Sequence, residues 1–202
     1  MGIVNGYATL AEARAWISVP DLDTSGDNML EDTIETVSRW IDDWTGRYYN
    51  TSTTQARTYT AKDNHILFID DLVSVNASGF VSDDDGDRTY ENTWATTDYD
   101  LMPENAVAHG TPYAWVEVTP QGRYTFPKQL KGTKITGTWG WSAVPVTIKQ
   151  ACLMQVNRIY NRKQAPFGVM GSDVFGNLSV AVGLDPDVKQ LLNGYKKAVG
   201  ND

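Results

Sequence analysis

The hydrophobic period of this chain changes twice, and those changes constrain its architecture more than any other feature. Up to Gly46 apolar residues recur every three or four positions: Leu10, Ala13 and Ile17 with Trp16 beside them, then Leu30, Ile34, Val37, Ile41 and Trp44. That is the spacing of one helix face. Between about residues 55 and 140 the period falls to two, the spacing of a half-buried strand, and at Val144-Pro145 it returns to helical. The pattern predicts an α+β fold. Two N-terminal helices (residues 1–50) and C-terminal helices (144–202) form a small helical bundle, with an antiparallel β region (55–140) inserted between them.

Local signals place the elements. Thr9-Leu10-Ala11-Glu12 is a capping box, in which the threonine hydroxyl accepts from the amide three residues on and the glutamate reaches back, so a helix starts there and Pro20 ends it. Residues 21–27 form a polar loop whose last aspartate caps the second helix, and Gly46 supplies its left-handed stop. All three tryptophans of this part, Trp16, Trp40 and Trp44, are assigned to the core. Residues 57–60, 65–69 and 72–75 read as strands, the middle one the most fully buried. After the acidic turn at 83–87, residues 88–94 return as a hairpin partner, and 115–118, 123–126 and 134–139 follow as further strands. Proline suits the first turn of the next helix, because its missing amide hydrogen would have had no partner there. Ile148, Ala151, Cys152, Val156, Ile159 and Tyr160 carry that helix to about Lys163, and Ala165-Pro166-Phe167-Gly168 stops it. Residues 168–183 are rich in glycine and small side chains, with an alternating run at 178–182 like an edge strand. Asp185-Pro186-Asp187 opens a last short helix bearing Val188, Leu191, Leu192 and Tyr195.

Charge is distributed unevenly. The chain has 202 residues, 25 acidic and 17 basic, for a net charge of −8, which argues against non-specific binding of a nucleic-acid backbone. Residues 1–110 hold 6 basic and 20 acidic residues, whereas 111–202 hold 11 basic and 5 acidic. Either the two halves are differently solvated faces, or the acidic surface of one copy meets the basic surface of the next copy or of another protein.

Catalytic and metal signatures are weak. Asp83-Asp84-Asp85-Gly86-Asp87 offers oxygens at alternate positions around a glycine, as calcium loops do, but lacks the bidentate glutamate that closes an EF-hand loop, and Glu91 is the nearest carboxylate of that kind. It reads as a solvated hairpin tip, and no metal ligand is assigned. Cys152, the one cysteine, lies on an apolar stripe where a thiol behaves as a small hydrophobe. No GxSxG, HExxH or P-loop pattern occurs, and two histidines leave little for metal chemistry, so neither catalytic residues nor a cofactor are expected. The longest stretch free of Asp, Glu, Lys and Arg, residues 135–148, is too short to span a bilayer, and the N-terminus lacks the pattern of a signal peptide. Trp139-Gly140-Trp141 reads as a packing joint where sheet gives way to helix. Arg158, Arg162 and Lys163 share the polar side of one helix, just before Phe167, either complementing the helix dipole or forming a docking patch.

Taken in order along the chain, several segments resemble the head-to-tail adaptor (head-completion, connector) proteins of tailed phages. They are Tyr7-Ala8-Thr9-Leu10-Ala11-Glu12, Ile41-Asp42-Asp43-Trp44-Thr45-Gly46-Arg47-Tyr48-Tyr49, Asp98-Tyr99-Asp100-Leu101-Met102-Pro103, Thr136-Gly137-Thr138-Trp139-Gly140-Trp141, Val144-Pro145, Arg158-Ile159-Tyr160-Asn161-Arg162 and Ala165-Pro166-Phe167-Gly168. The resemblance implies a structural virion protein, assembled in the host cytoplasm and located in the neck of the particle. There it would form a ring, usually dodecameric, under the portal, prolong the DNA channel and join the head to a stopper or tail-completion protein. DNA would pass without specific binding through a neutral or acidic lumen. Partner contact is expected from Arg158, Arg162, Lys163 and Phe167, and portal contact from Val180, Val182 and Tyr195. The rival readings are a calcium-dependent carbohydrate-binding module built on the acidic turn and exposed tryptophans, a hydrolase with an unrecognised carboxylate site, and another phage virion part such as a stopper.

Overall fold

The computed structural model describes residues 2–18, 24–162, 169–172, 176–179 and 183–197. The fold is α+β, with four α-helices and a six-stranded antiparallel sheet among these residues. It divides into two compact units, one of residues 1–47 and 144–198 and the other built on residues 48–143.

The first unit is helical. Helix α1 (Leu10–Ile17) opens on the capping box: the Thr9 hydroxyl accepts from the Glu12 amide at 3.2 Å and the Glu12 carboxylate accepts from the Thr9 amide at 2.8 Å. It ends at Ser18, which adopts the left-handed conformation, two residues before the proline expected to stop it. Helix α2 (Asp27–Thr45) begins on the very residue predicted to cap it, one position earlier than expected. Gly26 is the N-cap, and Asp27, inside the first turn, holds Arg14 at 2.6 Å instead. The stripe Leu30, Ile34, Val37 and Ile41 is buried and packs on Ile148, Ala151, Cys152 and Val156 of α3 (Val146–Arg162). Burying each large aliphatic side chain of such a seam contributes about 1.5–3 kcal/mol. Helix α4 (Pro186–Leu192) adds Val188 and Leu192 and runs into a short 3-10 turn, Asn193–Tyr195. A two-stranded hairpin, β7 (Val169–Ser172) with β8 (Gly176–Ser179), stands where residues 178–182 alone were expected as a strand.

The tryptophans of this unit correct the expectation of a core role. Trp16 and Trp40 are 44% and 38% exposed, and Trp44 is half-buried. Trp40 lies one residue from the buried Ile41, a turn of about 100° around the axis that carries its large ring off the packed face. The last buried position of α2 is Thr45, whose hydroxyl donates to the Ile41 carbonyl at 2.8 Å.

The second unit is a sheet in the order β1-β6-β2-β5-β4, with β3 paired to the end of β2. Its strands are β1 (Gln55–Tyr59), β2 (Ile66–Ser82), β3 (Asn92–Thr93), β4 (Tyr99–Met102), β5 (Tyr113–Val118) and β6 (Thr133–Trp139). The two separate strands predicted at 65–69 and 72–75 are one long strand. Shifts of register near Leu72 and between Val75 and Phe80 bend β2 enough to serve β5, β6 and β3 in turn. Gly137 permits the close approach at the first bend, since a Cβ there would lie 2.3 Å from the Ser74 carbonyl oxygen. Residues 65–69 are not fully buried: Leu67 and Ile69 face the core while Ile66 and Phe68 are 38% and 69% exposed. Of residues 88–94 only Asn92 and Thr93 pair as strand, and 123–126 form no strand, because Phe126 leaves the alternating pattern to bury itself in an aromatic core. In that core Phe80 stacks on Tyr99 with ring centres 4.5 Å apart, and Trp94 stacks on Phe126 at 5.0 Å. Trp94, Trp139 and Trp141 are buried with their indole N–H groups donating to the Ser82 hydroxyl, the Gln55 carbonyl and the Asp71 carboxylate. Trp139 and Trp141 are packed within the sheet unit, against Tyr59 and Tyr49 respectively.

Candidate functional site: assembly surfaces

Basic residues of the later half of the chain meet acidic or aromatic residues of the earlier half within each unit. In the helical unit Lys149 contacts Glu12 at 2.8 Å and holds that carboxyl below the usual glutamate range. Lys189 and Lys196 place their ammonium groups 5.0 and 4.2 Å from the centre of the Trp44 ring, a pair of cation–π contacts that fastens the C-terminal segment over the end of α2. The Lys197 amide also donates to the Thr45 carbonyl at 2.7 Å. Beside Trp44 a shallow hollow of about 290 Å³ is lined by Trp40, Asp43 and Leu184. Part of the charge asymmetry is therefore satisfied inside one chain.

Arg158 belongs to the same set of internal contacts. Its guanidinium pairs with Asp185, which also caps the Asp187 amide of α4 at 3.1 Å. Gln155, one turn earlier on α3, accepts from the Asp185 amide at 2.9 Å and donates to the Gly183 carbonyl at 3.3 Å. Together Gln155 and Arg158 fix the start of α4, and the Arg158 side chain is only 16% exposed. Arg162 lies half-buried at the last residue of α3, and Tyr195 is half-buried in the 3-10 turn. Lys163, Phe167, Val180 and Val182 lie outside the described residues. Sequence spacing placed Arg158 correctly on the helix; its partner Asp185, 27 residues away, carried no local signal.

The acidic turn is organised around Asp83, which is buried and accepts from the Gly86 and Arg88 amides at 2.7 and 3.0 Å and from the Gln129 side chain at 3.2 Å. Burial pushes this carboxyl up, and the backbone amides outweigh it, so its pKa lies below the usual aspartate value. Asp85 and Asp87 accept from the amides of Asp87 and Thr89, and Asp84 from the Asn92 side chain at 2.6 Å. One oxygen from each of Asp83, Asp85, Asp87 and Glu91 lies within 4.8 Å of the others, a donor set of the hard-oxygen type that a divalent cation takes. The carboxylates as arranged build the turn by capping backbone amides.

Asp98 anchors the sheet unit in the same way and more strongly. Buried at 2% exposure, it accepts from the Ala95 amide at 2.8 Å and the Arg123 amide at 3.1 Å, and takes the Arg123 guanidinium at 2.8 Å. The Arg123 guanidinium holds its carboxyl far below the usual carboxylate range. In the helical unit Cys152 is buried 3.8 Å from the Ser38 hydroxyl, and burial pushes its thiol up to about 12, so it is not a poised nucleophile. The exposed apolar surface of the sheet includes Ile66 and Phe68, and Leu130 at the connection to β6 is 72% exposed. No described helix is long and apolar enough to cross a membrane.

No protein-family model matches the chain, and no curated protein matches it. Among solved structures it is similar to a chain from the neck of an empty GTA particle computed with C6 symmetry, at 17% identity and a TM-score of 0.55, over 94% of this chain and 89% of that one. At this identity the likeness is one of fold, and it spans both the helical unit and the inserted sheet.

Proposed function

We propose that this chain is a structural neck component of a phage-like particle, a head-to-tail adaptor that forms a ring beneath the portal, extends the DNA channel and joins the head to a stopper or tail. The observation that carries the reading is the fold match across nearly the whole of both chains to a protein of a particle neck. The adaptor-like segments of the sequence, in their order, support the same reading from an independent direction.

The side-chain chemistry is consistent with work by shape. Cys152 is buried and protonated, and the buried carboxylates Asp83 and Asp98 are saturated by amides and cations. A ring made of identical subunits needs heterologous contacts, one surface of a copy against a different surface of the next. An acidic net charge suits a conduit through which DNA slides, because a strongly basic wall would hold phosphates. In the particle, portal contact falls to the C-terminal segment, including the stretch with Val180 and Val182 and the turn at Tyr195.

The test is incubation of the purified chain with portal rings of its own particle, followed by electron microscopy. An added ring of density beneath the portal is expected, with a lumen lined by neutral and acidic side chains. Portal rings left bare at saturating concentrations of the chain would refute the adaptor role.

A further inference from the structure

The sheet unit carries two complementary surfaces. The first is a groove of about 630 Å³ along β4, β5 and the middle of β2. Val75, Leu101 and Tyr113, the partly buried flank of the aromatic core, contribute its apolar wall. Asp100, Glu104 and Glu117 add three carboxylates, and no cationic side chain lines it among the described residues. Glu117 accepts from the Trp115 indole at 2.8 Å, while Asp100 and Glu104 have no ion pair among the described residues.

The second surface is a projecting leucine. Leu130 is 72% exposed, flanked by the exposed Lys128 and Lys131. The backbone around it is pinned: Lys131, in the left-handed conformation at φ 57°, donates its amide to the Thr60 hydroxyl at 3.0 Å, and its carbonyl accepts from the Tyr90 hydroxyl at 2.9 Å. Gln129 is fixed to Asp83, and the Gly132 amide closes the turn onto the Gln129 carbonyl at 3.1 Å. An apolar side chain already held in place loses little further freedom on docking.

We infer that Leu130 of one copy seats in the groove of the next copy, with Lys128 and Lys131 against Asp100 and Glu104. Charge complementarity favours a second copy as the occupant: an apolar knob between two cations matches an apolar wall bearing unpaired carboxylates. The strand order supports it, because the groove is built at the β4 edge while the knob leads into β6, next to β1 at the other edge. Surfaces at different edges of one sheet make a head-to-tail contact that repeats around a ring. This inference rests on the ring proposed above.

The decisive experiment uses the full chain assembled on portal rings. Lys128→Glu with Lys131→Glu, and separately Asp100→Lys with Glu104→Lys, each lower ring yield by about tenfold at low salt, and the four changes combined restore it. In a second arm, Leu130→Cys with Glu104→Cys yields a ladder of disulfide-linked oligomers on oxidation; buried Cys152 gives no background. Rings that assemble normally with either charge reversal and form no ladder overturn the contact while leaving the adaptor reading intact. Failure of the unaltered chain to form a ring overturns both.

Discussion

The helical unit and the sheet unit are held together by different means. In the first, aliphatic side chains from α2, α3 and α4 interlock, and among the described residues no carboxylate is fully buried, Asp42 being partly so. In the second, stacked rings of Phe80, Trp94, Tyr99 and Phe126 fill the centre, and three carboxylates are buried: Asp83 and Asp98, which anchor connections, and Asp71, which accepts from the Trp141 indole. Aliphatic seams tolerate repacking because many near-equivalent contacts share the load. A stacked ring or a buried carboxylate has a few specific partners and no substitute. The inserted sheet is therefore the more brittle of the two.

The largest test of that contrast is Trp94→Ala, which removes a ring stacked on Phe126 and tilted against Phe80, and is expected to cost about 4 kcal/mol by denaturant titration. Asp98→Ala comes next, at about 2 kcal/mol, because the Ala95 and Arg123 amides lose their acceptor. Its contribution is present above the ordinary aspartate value of 3.8 and is lost as pH falls below it, so the deficit of the variant narrows in acid. Ile34→Val in the helical unit should cost only about 1 kcal/mol. If it proves as costly as Trp94→Ala, the contrast fails.

The smallest effect sharpens the comparison, because it has the opposite sign. Burial raises Asp42 in α2 to about 6, against the opposing influence of the Tyr7 hydroxyl and of Arg39 at 3.1 Å. A raised carboxyl stabilises the fold fully below 3.8, and that stabilisation is lost as pH rises through about 6. Thermal melts across this range should show the decline in the unaltered protein and a flatter profile in Asp42→Asn.

Where an element is specified by its own neighbours, the sequence revealed it. Thr9 with Glu12, the stripe from Leu30 to Ile41, Gly46 and the Asp185 cap all read directly, since their partners lie within one helical turn. Features decided by distant residues did not. The continuity of β2 depends on register shifts against β5 and β6, and the burial of Phe126 depends on Trp94, 32 positions earlier. Arg158 was visible as a helix-face cation while its pairing with Asp185 was hidden by sequence distance. The groove beside Asp100 and Glu104 had no signal at all, because its walls come from three strands.

The two ends of the inserted sheet are stitched to each other. Ser52 and Trp139 exchange hydrogen bonds at 2.8 and 3.0 Å, and the Thr51 hydroxyl donates to the Trp141 carbonyl at 2.5 Å. Because the entering and leaving segments meet at this clasp, the bundle experiences the insert much as it would a short connection. Lengthening or trimming the strands inside such a module leaves the separation of its two ends unchanged.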